Sequence, residues 1–286
     1  MRYNVNMPFN PNAVFISPSS LGDFEKCPQL YYYKNIYKSP NGLKLQIINP
    51  PLALGQAVHD ALDQFLKLTP AERNKEELIK IFELVWGNFK GEKGGFTSET
   101  EANEQHTKAI NMLERFLKHE HFKTAQKFEI PSFPKVELGN DLILTGKLDW
   151  IEKEDDIYHL IDFKTGKNEE REDSKQLPIY AVLIGHILNT KNLKTSYWYL
   201  DHEDDLTPID YGNTEETITE LTKKGGILKL VRQTNSFRCK SGGESCWACK
   251  DILAVAKARE NWSALITPGN RKFIYYPKKH LNQHLK

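Results

Sequence analysis

The chain has 286 residues, enough for one large domain or two small ones around a substantial core. Hydrophobic residues make up 39% and charged residues 27%, which fits a globular chain and excludes collagen-like, coiled-coil and low-complexity classes. Mean hydropathy is −0.57, and no apolar run nears the ~20 residues a bilayer span needs, so no membrane partner is expected.

The first twenty residues hold no continuous apolar stretch. No secretion signal is therefore expected, and the cytoplasm is the default compartment. The net charge of +1 hides two opposed regions. Asp149 to Glu220 carries 18 acidic and 7 basic residues, a net of −11, and Thr222 to Lys286 carries 14 basic and 3 acidic, a net of +11. An acidic stretch concentrates cations and a basic one attracts polyanions such as nucleic acid, although two ordinary solvated surfaces give the same counts.

Residues 1–16, with Pro8 and Pro11, are expected to be irregular. Ser17, Ser19 and Ser20 are helix-capping residues ahead of Leu21 to Cys27, and the Tyr31–Tyr33 run is expected to pack a helix. Residues 52–68 predict a helix with Leu54, Val58, Leu62, Phe65 and Leu66 on one stripe. Residues 72–90 and 100–120 predict two more, joined by a Gly-rich segment at 91–99 that reads as a mobile loop. From about residue 125 the pattern changes to strands, at 127–133, 141–153 and 156–166. Residues 174–188 predict a helix with Pro178 in its first turns. Strands follow at 194–202 and 206–212, then helices at 214–231 and 248–261. This order predicts an α/β fold, a mixed sheet flanked by helices.

The four cysteines are unevenly spread. Cys239, Cys246 and Cys249 fall within eleven residues, and Cys27 lies far upstream. Cys246-Trp-Ala-Cys249 has metal-ligand spacing, and four thiolates suit a tetrahedral zinc site or a [4Fe–4S] cluster. Two disulfides are the alternative, which a reducing compartment opposes. A shared metal would staple the N-terminal segment to the C-terminal one.

Two consecutive strands end in carboxylates, Gly146-Lys147-Leu148-Asp149 and Leu160-Ile161-Asp162-Phe163-Lys164. The period of two puts Asp162 and Lys164 on one face and Phe163 on the other. Carboxylates from neighbouring strands with an ammonium beside them suit Mg²⁺ or Mn²⁺, which polarises a phosphoryl oxygen and activates water. A surface ion pair on an edge strand is the plainer reading of the same residues.

The order of these motifs resembles the PD-(D/E)XK nuclease superfamily, and within it the RecB-like, Cas4-like branch that includes the C-terminal nuclease of AddB. Gly55-Gln56-Ala57-Val58-His59 is similar to that branch's G-x-x-x-H helix. Asp149 is similar to its first strand aspartate, and Asp162-Phe163-Lys164-Thr165-Gly166 to its D-[YF]-K-T-G core. Gln176-Leu177-Pro178-Ile179-Tyr180 is similar to its Q-x-x-x-Y helix, and Ser17-Pro18-Ser19-Ser20-Leu21 through Cys27-Pro28 to its N-terminal segment. The resemblance spans residues 15–260. It implies a restriction-endonuclease-like mixed-sheet core at about 50–215 within a single nuclease domain, 1–286. A helical cysteine-clamped lid is implied from about 15–45 plus 222–262.

The implied site has Asp149, Asp162 and Lys164 as catalytic residues. His59, Asp149, Asp162 and the Phe163 backbone carbonyl would bind the metal. Gln176 and Tyr180 would brace Lys164 or touch DNA phosphate, and Glu129, on the preceding strand, would join the acidic cluster. A [4Fe–4S] cluster is implied on Cys27, Cys239, Cys246 and Cys249, with Zn²⁺ as the alternative. The order here, C-x₆-C-x₂-C, departs from that branch, where the long gap comes last. The expected activity is a metal-dependent DNA nuclease, an exonuclease or a processor of single strands or ends, in DNA repair, recombination or CRISPR adaptation. Helicase or CRISPR adaptation proteins are the implied partners. Arg232, Arg238, Lys240, Lys250 and Arg271 would hold phosphates, and Trp247 would stack on bases. The alternative is a non-catalytic DNA-binding or adaptor module.

Overall fold

The computed structural model describes residues 10, 12–38, 42 and 44–257, and the backbone of 263–266 and 272–277. Pro8, Pro11, Arg271 and residues 258–261 of the last expected helix lie outside the described residues. The chain enters through strand β1 (Val14–Ile16), within a stretch expected to be irregular. Helix α1 (Pro18–Lys26) then starts on a capping box in which Ser17 and Ser20 bond each other's backbone N–H. It stops at Cys27, whose extended backbone (φ −168°) also opens the short helix α2 (Pro28–Tyr31). The tyrosine run continues as a π-helical turn over Tyr32–Ile36, with Tyr31 packed between Phe24 and Phe237.

After strand β2 (Lys44–Ile48), Asn49 caps helix α3 (Pro50–Phe65), and two prolines occupy its first positions, where no N–H is needed. The expected stripe of Leu54, Val58, Leu62, Phe65 and Leu66 is buried. It faces helices α4 (Lys75–Trp86) and α5 (Glu99–Lys118), whose Phe82, Trp86, Leu113 and Phe116 complete one core. Burying each such side chain stabilises by about 1.5–3 kcal/mol. The Gly-rich segment between α4 and α5 is packed rather than loose. Phe96 is buried against Trp86, and a Cβ on Gly95 (φ +74°) would sit 2.8 Å from the Ile48 carbonyl oxygen.

Helix α6 (His121–Thr124) leads into the sheets. The segment at 127–133 is not a strand. Pro131 and Pro134 break the donor pattern a ladder needs, and only the Phe128 N–H reaches across, to Ile151 O at 2.7 Å. Pairing begins instead at β3 (Lys135–Gly139) and β4 (Leu142–Thr145), joined by left-handed Asn140 and Asp141. The single strand expected at 141–153 is two, β4 and β5 (Trp150–Glu154), separated by a bend at 146–149.

β5 pairs antiparallel with β6 (Ile157–Lys164), and β6 pairs in parallel with β7 (Leu193–Tyr199). β8 (Thr207–Ile209) closes the four-stranded sheet, in the order β5-β6-β7-β8. The parallel pair needs a crossover, and α7 (Gln176–Leu188) supplies it. A second sheet, β1-β4-β3, shares a core with α7 and α8 (Thr214–Gln233). After α9 (Lys250–Lys257), β9 (Ser263–Ile266) and β10 (Lys272–Pro277) join β2 in a third sheet, ordered β2-β10-β9. The result is the expected α/β architecture of mixed sheets flanked by helices. No helix among the described residues is long and apolar enough to cross a membrane.

Candidate active site and cysteine cluster

Four elements converge on one pocket. α3 supplies His59, the bend before β5 supplies Lys147 and Asp149, the end of β6 supplies Asp162 to Lys164, and α7 supplies Gln176 and Tyr180. Two glycines permit the approach. A Cβ on Gly55, one turn before His59, would meet Thr165 Oγ1 at 2.9 Å. A Cβ on Gly146 would meet the Tyr180 ring at 2.7 Å. Helix α3 and helix α7 therefore sit against the strand ends as closely as they do because neither position carries a side chain.

His59 Nδ1 lies 3.1 Å from Asp149 Oδ1. Asp149 Oδ2 accepts the Phe163 N–H at 3.0 Å, tying the bend before β5 to the backbone of β6. Lys164 Nζ lies 2.9 Å from Asp162 Oδ2 and donates to Gln176 Oε1 at 2.6 Å. Gln176 Nε2 donates to Asp162 Oδ1 at 2.8 Å, so its amide bridges the acid and the ammonium. Tyr180, one helical turn on, donates to the Lys147 carbonyl at 2.8 Å. Phe163 turns the other way, into the core with Phe116 and Trp198.

The electrostatics separate the two carboxylates. Burial and the neighbouring Asp149 charge push Asp162 up to about 6, and the Lys164 ammonium offsets this only in part. Burial also opposes ionisation of Asp149, but His59 and the Phe163 N–H outweigh it and hold that carboxyl low. Burial pulls the His59 imidazole down, and Asp149 and Asp162 more than reverse it. Lys164 is held above its usual value because Asp162 and Glu170 overcome its desolvation. One buried and one half-buried carboxylate, with an imidazole beside them and a like-charge conflict between them, form the oxygen-rich donor set that a divalent cation relieves.

The sequence model of the PD-(D/E)XK nuclease superfamily matches residues 16–250. The chain belongs to that superfamily. No curated protein matches it. Nucleases of this superfamily typically use divalent metals such as Mg²⁺, and the donor set of His59, Asp149 and Asp162 fits one.

The fold places one expected residue elsewhere. Glu129 is expected on a strand joining the acidic cluster, yet it lies exposed in the non-strand segment before β3. It lines a separate cavity with Asp63, Lys67, Arg73 and Lys127. Other residues at the site have no motif to mark them. Glu170 Oε1 pairs with Lys164 Nζ at 3.0 Å, and the Tyr197 ring lies 4.7 Å below the same ammonium. Lys127 Nζ donates to the Asp149 carbonyl at 2.9 Å. Tyr197 is opposite Asp162 in the parallel register, which the aromatic run at 197–199 hints at once β6 and β7 are paired.

The chain also gathers all four cysteines. Cys27, Cys246 and Cys249 are buried, Cys239 is half-buried, and none is in a disulfide. Their sulfurs all lie within 4.8 Å of one another. Cys239 sits at the start of a turn through left-handed Gly242 and Gly243 (φ +78° and +71°). Its sulfur accepts the Ser241 N–H at 3.4 Å. Backbone N–H groups of Gly243 and Ser241 pull the Cys239 thiol down to about 7, whereas burial and the neighbouring sulfurs push Cys249 up. Sulfurs packed this closely repel one another as thiolates, and a bound cation removes that conflict.

Proposed function

We propose that this chain is a metal-dependent deoxyribonuclease that cleaves phosphodiester bonds at DNA ends or in single strands. The observation that carries the reading is the junction at Lys164, where one ammonium contacts Asp162, Glu170 and Gln176 beside the His59–Asp149 pair. A bound Mg²⁺ or Mn²⁺ supplies Lewis acidity and an activated water. Asp149, Asp162 and His59 hold the ion. Gln176 keeps Asp162 and Lys164 in register, and Tyr180 fixes the bend that carries Asp149. Lys164 stabilises charge on the phosphoryl oxygens as the bond to the leaving oxygen breaks.

The cavities around the pocket support a nucleic-acid strand as substrate. The site shares Lys147, Gln176 and Tyr180 with a cleft of about 670 Å³ that also carries Arg171, Lys175 and Lys224, which an incoming phosphate would draw from their carboxylate partners Asp173, Glu220 and Glu25. That cleft shares Lys26 and Lys224 with a further cavity holding Arg238, Lys240 and three of the cysteines. Cations along this path hold phosphates without reading sequence. Trp247, 74% exposed beside Cys246, offers a face for base stacking. The four cysteines hold a metal that clamps this wall of the path. A role in repair, recombination or CRISPR adaptation, with a helicase or adaptation protein as partner, extends the same reading. The test is incubation of end-labelled single- and double-stranded DNA with Mn²⁺ or with a chelator. Metal-dependent shortening is expected. Tight binding without cleavage under all conditions favours an adaptor module instead.

A further inference from the structure

The resemblance to iron-binding nucleases implies a [4Fe–4S] cluster on the four cysteines, but their spacing points elsewhere. In a four-iron cluster each thiolate binds its own iron at a separate corner, and with bonds of about 2.3 Å this spreads the sulfurs to about 6 Å. Four thiolates around one ion at about 2.3 Å lie about 3.8 Å apart. Here every pair of sulfurs is within 4.8 Å.

The surroundings agree with a small centre. Cys27, Cys246 and Cys249 pack directly against Leu45, Ile252, Leu253 and Val255. Even a Cβ on Gly243 would meet Leu253 Cδ1 at 3.3 Å and Gln29 Oε1 at 3.6 Å. This shell fills the space on one side of the sulfurs, while Cys27, Cys239 and Cys246 open on the other onto the cavity of Arg238 and Lys240. The cysteine order contributes as well, since the Gly242-Gly243 turn folds Cys239 back onto Cys246 and Cys249 over a short loop.

We propose that Cys27, Cys239, Cys246 and Cys249 close around a single Zn²⁺ as a tetrahedral structural site. This rests on the reading of the four cysteines as a metal centre. All-sulfur, closed, four-coordinate donor sets suit Zn²⁺, which has no redox chemistry and no geometric demand beyond the tetrahedron. Binding displaces the remaining thiol protons and leaves a centre of net charge −2. Arg238, Lys240 and Lys26, in the adjoining cavity, face that charge. The ion would lock the α1–α2 junction to the segment between α8 and α9.

The test uses the full chain, expressed with both iron and zinc supplied and purified without oxygen. Metal and acid-labile sulfide are then counted. One zinc per chain, no sulfide and a colourless solution are expected. Exchange with Co²⁺ alone should give the intense visible bands of a tetrahedral tetrathiolate. Cys239→Ser should weaken those bands and lower metal affinity at least about tenfold. If that variant does not fold, the cobalt spectrum of the unaltered chain still decides. Four irons and four sulfides per chain, with broad visible absorption, would overturn the single-ion proposal while leaving a cysteine metal centre in place. Protein without bound metal would overturn both. Neither result bears on Mn²⁺-dependent cleavage, which is read separately.

Discussion

At Lys164 the ammonium is fixed on three sides by Asp162, Glu170 and Gln176 and rests over the Tyr197 ring. Such restraint places a charge without reorganisation at the moment of reaction. Gln176 holds this geometry through two bonds, so Gln176→Ala should lower kcat more than it raises KM, by about tenfold or more. Steady-state kinetics check this. Gly146 makes a second prediction. A methyl there collides with Tyr180, and overpacking typically costs about 1–3 kcal/mol. Gly146→Ala should lower the urea midpoint and activity together, and an unchanged activity would mean that the Tyr180 bond to Lys147 is dispensable. His59, Asp149, Asp162 and Lys164 were legible because each sits in a short motif with a fixed period. Glu170 and Tyr197 were not, because one lies in a loop that folds back and the other depends on the β6–β7 register.

Among the elements, β5 and β6 are joined to α6 by a buried polar knot at Glu152. The carboxylate accepts Trp150 Nε1–H at 2.8 Å and lies 2.8 Å from His121 Nε2, with His159 Nδ1 at 3.4 Å. Burial opposes its charge, but the contacts from His159, Trp150 and His121 prevail and hold the carboxyl at about 2. Its ordinary value is 4.5, so the ionised form favours the folded state above about pH 4.5, and that contribution fades as pH falls toward 2. The full contribution is about 3 kcal/mol. Glu152→Gln should therefore lower Tm at pH 7 and flatten its loss between pH 4.5 and pH 2, as calorimetry across pH would show. Long amphipathic helices such as α3 and α5 were readable from their stripes. The short strands β1 and β2 were not, since β1 pairs with β4 more than a hundred residues away and β2 pairs in parallel with β10. Three or five residues carry too little periodicity to announce such partners.

Across the whole molecule, the charge asymmetry acquires a place. The net charge of the basic C-terminal region, Thr222 to Lys286, was legible in the sequence. That Arg238 and Lys240 stand beside the cysteines, on a cavity sharing walls with the cleft next to the candidate site, required the fold. Replacing both with Ala should weaken DNA binding across all sequences. It should also make the slope of log K against log salt shallower by about one for each phosphate that is no longer neutralised. Binding titrations at several salt concentrations test this, and an unaltered slope would remove these residues from the path.

In the proposed mechanism Lys164 acts at a metal held by Asp149 and Asp162. The most direct measurement is cleavage of end-labelled single-stranded DNA in Mn²⁺ by the unaltered chain and by Lys164→Ala, with DNA affinity and Tm measured on the same samples. A rate lower by about a hundredfold or more is expected, with affinity nearly unchanged and Tm lowered by the loss of the Asp162 and Glu170 ion pairs but still well above the assay temperature. Cleavage by Lys164→Ala at the unaltered rate would contradict the mechanism.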